Sequence, residues 1–312
     1  MIKEYFNKAG GKKILKNYIE NNVFIYAILL FLFLPKNKVG FETLREIVSL
    51  RIYGKLKKRY KRLLYKEDYQ LEEKKIERKV WFCWLQGIEN APKLVKVCYK
   101  YLTCYLNDYE IIEITEQNYM KYTTIPEFII KKWKCGYISN THFSDILRNN
   151  LLINNGGIWI DSTVLLTDVI PDDIMQAPMF LFQTLKPGKD GKSIPISSWF
   201  IASSVNNPVL KTAQDLLFAY WKNHNKLCDY FLYHYFLIMS LEKYEKIYEQ
   251  IPQYTNENPH ILLFKLNEEY NKETFDYICN KTFAHKLTYK LDESIQNNKK
   301  NFYNYLVEDK ND

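Results

Sequence analysis

Ser139 to Thr163 reads SNTHFSDILRNNLLINNGGIWIDST, a helix, a glycine turn and a strand written in one run. Phe143, Ile146, Leu147 and Leu151 recur at helical spacing, so a helix is expected from about Thr141 to Asn154, with Ser139 or Asn140 as its cap. Asn155-Gly156-Gly157 ends it, because glycine accepts the left-handed conformation of a helix C-cap. Ile158-Trp159-Ile160 then reads as a short buried strand that stops at Asp161. Asp145 and Arg148 share one helix face, an arrangement that most often means a structural ion pair. A carboxylate just past a buried strand, such as Asp161, can be a turn residue or can face a ligand.

Outward from this block, the same alternation of strand and helix recurs. Val80 to Leu85 (VWFCWL) is an apolar run closed by Gln86-Gly87, and Pro92 opens a helix carrying Leu94, Val95, Cys98, Tyr99 and Leu102. Tyr109 to Ile114 reads as a second strand, giving a βαβ unit and hence a parallel sheet with ligands beyond the strands' carboxyl ends. Further on, Ser197 to Ser203 is expected as a strand, and Pro208 to Trp221 and Tyr230 to Ile247 as helices capped by Asn207 and Asp229. Lys186 to Ser198 is a polar Gly/Pro loop and a candidate lid. Residues 291–312 read as a polar tail that frays.

The chain has 312 residues and a formal charge of +8, with 47% hydrophobic and 26% charged residues, a balance that excludes disorder and collagen-like sequence. The charge is unevenly placed. Residues 1–78 carry 19 Lys+Arg against 9 Asp+Glu, whereas the remainder is near neutral, which argues against a nucleic-acid surface on the body. Within this arm, Val23 to Leu34 is an apolar run of 12 residues ended by Pro35, too short for a span needing about 20. Basic Lys12, Lys13 and Lys16 precede it, but no small-x-small cleavage site follows. Arg51 to Lys66 has eight basic residues and no acid, with Leu56, Tyr60, Leu63 and Leu64 at helical spacing. The arm therefore reads as a membrane-surface element, against the alternative of helices packed on the body. Cys83, Cys98, Cys104, Cys135, Cys228 and Cys279 form no CxxC pair, so reduced thiols in a cytosolic compartment are expected. No P-loop, GxGxxG or GxSxG occurs.

Trp84-Leu85-Gln86-Gly87, then Ser144-Asp145-x-x-Arg148, then Gly156-Gly157-Ile158-Trp159-Ile160-Asp161-x-Thr163, in that order, resemble the DXD-type glycosyltransferases. The likeness is nearest to bacterial capsular polysaccharide synthesis proteins and covers roughly residues 79–290. Trp199-Phe200-Ile201-Ala202, Asp229-Tyr230-Phe231 and Ala284-His285-Lys286-Leu287 look family-like more weakly. The resemblance implies an α/β fold of the GT-A type: a nucleotide-sugar-binding αβα sandwich over residues 79–290, behind the arm 1–78. It implies that Trp84, Gln86 and Gly87 lie at the donor nucleotide, and that Gly157 and Lys286 line the same site. Asp145 would accept hydrogen bonds from ribose or sugar, Arg148 would hold hydroxyls or the diphosphate, and Asp161 would coordinate Mn2+ or Mg2+, with His285 completing the metal site. Trp199 and Asp229 are candidate sugar and acceptor contacts, Trp199 by stacking; a core tryptophan and a helix cap are the alternatives. Thr163 stands where the DXD pattern has its second Asp and supplies a hydroxyl without a charge.

The activity implied is retaining transfer of a hexose, from a UDP-sugar first, to a lipid-linked glycan at the cytoplasmic face of the plasma membrane. A degenerate scaffold and a sugar-phosphate transferase are the alternatives.

Overall fold

The computed structural model describes residues 11–72, 75–185 and 193–308. Most of the expected candidate lid, residues 186–192, lies outside them. The chain opens with three helices, α1 (Lys12–Glu20), α2 (Phe24–Phe33) and α3 (Lys38–Leu64). The expected βαβ unit follows as β1 (Lys79–Cys83), α4 (Lys93–Tyr105) and β2 (Glu110–Ile114), with β1 and β2 parallel. Next come α5 (Glu127–Lys134), α6 (Asn140–Asn155), β3 (Gly157–Ile160) and β4 (Val164–Leu166), then α7 (Asp172–Gln176), β5 (Met179–Gln183) and β6 (Ile196–Ser203). The remainder is helical apart from one strand: α8 (Pro208–Asn223), α9 (Leu232–Lys243), α10 (Glu245–Glu249), α11 (Ile261–Lys265), α12 (Lys272–Cys279), β7 (Ala284–Lys286), α13 (Glu293–Asn297) and α14 (Phe302–Val307).

The central sheet runs β2-β1-β3-β6-β5, with β3 parallel to β1 and β6 antiparallel to both of its neighbours. Four strands therefore point one way and β6 the other, a mostly parallel sheet. Successive residues of β1 face opposite sides. Trp81 meets Tyr122 edge-on at 5.5 Å on one side, and Phe82 meets Tyr99 of α4 at 4.9 Å on the other. Both faces of β1 are covered, which is why Val80 to Cys83 is continuously apolar. This is the layered α/β architecture expected from the βαβ pattern. β5 adds an edge strand beyond the expected ones. The helix expected over Tyr230 to Ile247 is shorter, because the backbone leaves helical geometry at Tyr244 (φ −107°, ψ 57°) and restarts as α10.

Two sequence expectations are corrected. The frayed tail is not seen at its centre: Phe302, Tyr303 and Leu306 of α14 are buried with Leu94 and Cys98 of α4 and Leu165 of β4 in a second apolar cluster. The apolar stripe of the basic helix is also not free for a membrane. α3 buries Leu44, Val48, Ile52, Leu56, Tyr60 and Leu64 in the main core, each contributing about 1.5–3 kcal/mol. Tyr60 meets Phe236 of α9 edge-on at 5.5 Å, and Lys57 pairs with Glu242 at 2.5 Å. Arg51, Lys55, Lys58, Arg59, Lys61 and Arg62 remain on the outer face. Among the described residues no helix is long and apolar enough to cross a membrane.

Candidate active site

Local chemistry sets the two elements that carry the site. The Ser139 hydroxyl accepts the His142 N–H at 3.2 Å and so caps α6. The helix closes on Gly156 (φ 63°), and Gly157 follows at φ 91°. A Cβ on Gly157 would come within 2.5 Å of the Lys79 carbonyl oxygen, so only glycine lets β3 lie this close to β1. Gly157 sits at the start of β3, about 13 Å of strand from Asp161. It is thus a packing residue rather than a donor contact.

At the other end of β3 the side chains converge. Asp161 leaves the strand with its N–H bonded to the Trp199 carbonyl at 2.8 Å, one step beyond the Phe82–Ile160 pair of the parallel sheet. Arg148 Nη2 reaches Asp145 Oδ1 at 3.1 Å and Asp161 Oδ1 at 3.2 Å, so the helix pair expected from sequence extends to the strand-end carboxylate. Asp161 Oδ1 also accepts the Trp159 indole N–H at 2.9 Å. β7 pairs antiparallel with β4, placing Lys286 opposite Val164. From there the Lys286 ammonium donates to Asp161 Oδ2 at 2.7 Å and to Thr163 Oγ1 at 2.8 Å.

Arg148 is nearly inaccessible, with a side chain 4% exposed. Its plane lies over Trp159, 5.0 Å from the ring centroid, and its other nitrogen donates to the Ser198 hydroxyl and carbonyl. The guanidinium is used up inside the protein. Of the two cations in the cluster, Lys286 is the more open, with a side chain 20% exposed against 4% for Arg148.

Behind this pair stands a brace that sequence reasoning missed. The Trp221 indole N–H donates to His142 Nε2 at 3.0 Å. Indole nitrogen only donates, so Nε2 carries the lone pair and Nδ1 the proton, which points at Asp145 Oδ2 at 3.2 Å. Asp145 therefore has one oxygen on a neutral histidine and one on Arg148, and the chain of contacts runs from Trp221 to Lys286. No short spacing signals it, since Trp221 and His142 lie 79 residues apart.

Electrostatics fix the charge states. Burial disfavours ionised Asp161, but the charges of Lys286 and Arg148, with hydrogen bonds from Lys286 and Trp159, outweigh it and hold the carboxyl below its ordinary range. Burial likewise opposes the Arg148 charge, and Asp161 and Asp145 outweigh that too, so its pKa is raised.

The remaining candidates divide. Trp84 lies just past β1, with its indole N–H buried and unpartnered among the described residues and its ring edge-on to Tyr289 at 5.5 Å. Gln86 and Gly87 follow in the turn at the same strand end. These three stay near the expected donor side. Trp199 does not present its ring to a sugar: it stacks on Phe182 at 4.5 Å and donates to Asn256, the core alternative. Asp229 accepts the Phe231 N–H at 2.8 Å, the cap-like alternative, and burial raises its pKa. His285 is not beside Asp161. It alternates with Lys286 along β7, contacts Thr167 Oγ1 at 2.9 Å, and is pushed down to about 4 by burial. Among the described residues no group of three or more His, Cys, Asp or Glu gathers to hold a metal ion. Tyr230, named from sequence only as part of a weak motif, is an exposed ring whose hydroxyl pKa is raised by local desolvation and by the charges of Asp145 and Asp161.

The donor set fits a divalent ion poorly. Both oxygens of Asp161 are bonded to cations or N–H groups, Thr163 brings no charge, and Asp145 and Asp161 are already balanced by Arg148 and Lys286.

A search of curated proteins returns no match. Among solved structures, the chain resembles the PaToxG glycosyltransferase at 15% identity, covering 81% of this chain and 97% of that one with a TM-score of 0.35. It also resembles a transferase mutant with two cysteines replaced by serine, at 13% identity over 59% of this chain and 90% of the other, with a TM-score of 0.34. The family model for capsular polysaccharide synthesis proteins matches residues 36–306, which takes in α3, the sheet, the convergent cluster and all but the last residue of α14. By that match, spanning most of the 312 residues, the chain belongs to the capsular polysaccharide synthesis protein family.

Proposed function

We propose that this chain is a glycosyltransferase that moves a hexose from a nucleotide-sugar, a UDP-sugar first, to a glycan acceptor in capsule synthesis. The observation that carries the reading is the Lys286 ammonium held by Asp161 and Thr163 at the carboxyl end of the parallel strands, next to the turn bearing Trp84. Departure of a nucleoside diphosphate builds negative charge on the leaving oxygen, and a cation already oriented there lowers the barrier. Asp161, Thr163 and Trp159 hold Lys286 and Asp161 in place, so little reorganisation is needed when the bond breaks. The unpartnered Trp84 indole N–H and its ring suit a nucleoside. Both carboxylates of the cluster are already paired with cations, and transfer with retention of configuration is part of the proposal.

Turnover of a panel of UDP- and GDP-sugars by purified protein tests this. Donor hydrolysis or transfer is expected with at least one, and lost in Asp161→Asn. Failure to bind or turn over any donor would sink the enzyme reading.

The acceptor is proposed to be lipid-linked and met at the cytoplasmic face of an anionic membrane. Ile25, Ile28, Leu29, Leu32 and Phe33 of α2 are exposed, and α3 presents its basic side outward. An apolar face beside a cationic one is the two-part anchor that holds proteins on anionic lipid. Flotation with phosphatidylserine vesicles should recover the wild type but not the triple variant Ile25→Ser, Leu29→Ser, Phe33→Ser. Equal recovery of both would remove the membrane reading.

A further inference from the structure

We propose that the Lys286 ammonium takes the place of the divalent cation, so that the site binds a nucleoside diphosphate without metal. The proposal rests on the donor-site reading above. The DXD resemblance would put a metal between the side chains at positions 161 and 163, and that space is where Lys286 Nζ sits, 2.7 Å from Asp161 Oδ2 and 2.8 Å from Thr163 Oγ1. Three observations make this a substitution rather than a neighbour. Thr163 supplies a neutral oxygen that a lysine can bond and that adds no charge to hold a metal. The second oxygen of Asp161 is taken by Trp159 and Arg148, so a metal would have to share one carboxylate oxygen with an ammonium. The cluster is already neutral, two carboxylates against two cations, so a divalent ion would enter with no uncompensated negative charge to receive it.

An ammonium has three N–H donors. Two are used by Asp161 and Thr163, and among the described residues none is seen to take the third. With the side chain 20% exposed, that donor is the one available to a diphosphate oxygen. The register that delivers it is the β4–β7 pairing, Val164 opposite Lys286, reinforced by the Leu287 N–H bonded to the Thr163 carbonyl at 2.9 Å.

The test is calorimetric titration of UDP and GDP into the full chain, in EDTA and in Mn2+, with Mn2+ binding to the nucleotide-free protein read by electron paramagnetic resonance. The wild type should bind one of the nucleotides with dissociation constants that agree within about threefold in the two buffers, and should hold no Mn2+ tightly. Lys286→Met should weaken binding roughly 30-fold or more in EDTA, the scale for removing one partner of a close charge pair. The double variant Thr163→Asp, Lys286→Ala should gain a Mn2+ signal and bind nucleotide only when Mn2+ is present. Wild-type binding that needs Mn2+, or a cooperatively melting Lys286→Met that binds like wild type, would overturn the proposal. No binding of either nucleotide in either buffer would instead overturn the donor-site reading beneath it.

Discussion

Arg148→Met removes a guanidinium that touches Asp145 at 3.1 Å and Asp161 at 3.2 Å from a side chain 4% exposed. Methionine fills most of the space over Trp159, so the loss reads charge more than cavity. Taking away one partner of a buried pair costs about 3–5 kcal/mol, because the remaining charge stays desolvated. For a chain of this size that is a fall in melting temperature of roughly 5–8 °C. The pH dependence separates this from simple mispacking. Asp161 titrates lower in the folded protein than its ordinary 3.8, so its ionisation stabilises the fold above that value and is lost as pH falls through the folded pKa. Without Arg148 the folded pKa moves back up. The gap between wild type and variant should therefore be widest at neutral pH and narrow from about pH 5 toward 3. Urea melts across that range measure it, with Arg148→Lys as the control that keeps charge but loses the fork. A gap under about 1 kcal/mol at pH 7, or one that stays constant into acid, would refute the argument that Arg148 is there for its charge.

Gly157→Ala should destabilise by about 1–3 kcal/mol or more, since φ 91° is strained for alanine and its Cβ would meet the Lys79 carbonyl at 2.5 Å; wild-type stability in a urea melt would count against this. His285 is held neutral by burial with its pKa near 4 against an ordinary 6.5, so the unfolded chain takes up the proton first and stability falls as pH drops between those values. His285→Gln should flatten that slope, and an unchanged slope between pH 6.5 and 4.5 would place the acid sensitivity elsewhere. Phe302→Ala should cost about 3–5 kcal/mol through a cavity in the second apolar cluster; a loss below about 1 kcal/mol would mean that α14 is not docked there.

The block Ser139 to Thr163 was legible because a 3.6-residue apolar period stops at a glycine pair, which tolerates the left-handed turn, and an unbroken apolar run follows. The βαβ unit was legible because apolar runs flank a stretch with the same helical period. The use of Arg148 was not. Its spacing from Asp145 announces an ion pair, but whether the guanidinium faces a ligand or a wall depends on Trp159, Tyr233 and Ser198, brought in from elsewhere. Lys286 was nameable only as one residue of a weak motif, since its role comes from pairing with a strand more than a hundred positions earlier. His285 and Lys286 are adjacent in sequence, and alternation along β7 sends them to opposite faces. The docked α14 was hidden because Phe302, Tyr303 and Leu306 are few apolar residues in a polar setting, too few to show a period.

The core-facing residues of α3 recur every fourth position, from Leu44 to Leu64. A helix turns once in 3.6 residues, so each step of four drifts by about 40°, and the seam winds roughly 200° around the rod from one end to the other. Such a helix is gripped like a screw rather than laid in a trough. It cannot peel away from one end without dragging against partners on several sides, among them α2, α8 and α9. Melting of this segment should coincide with melting of the sheet in one transition. Cutting it off would open the core, so the chain's surface preferences are better probed by changes confined to the outside of α2.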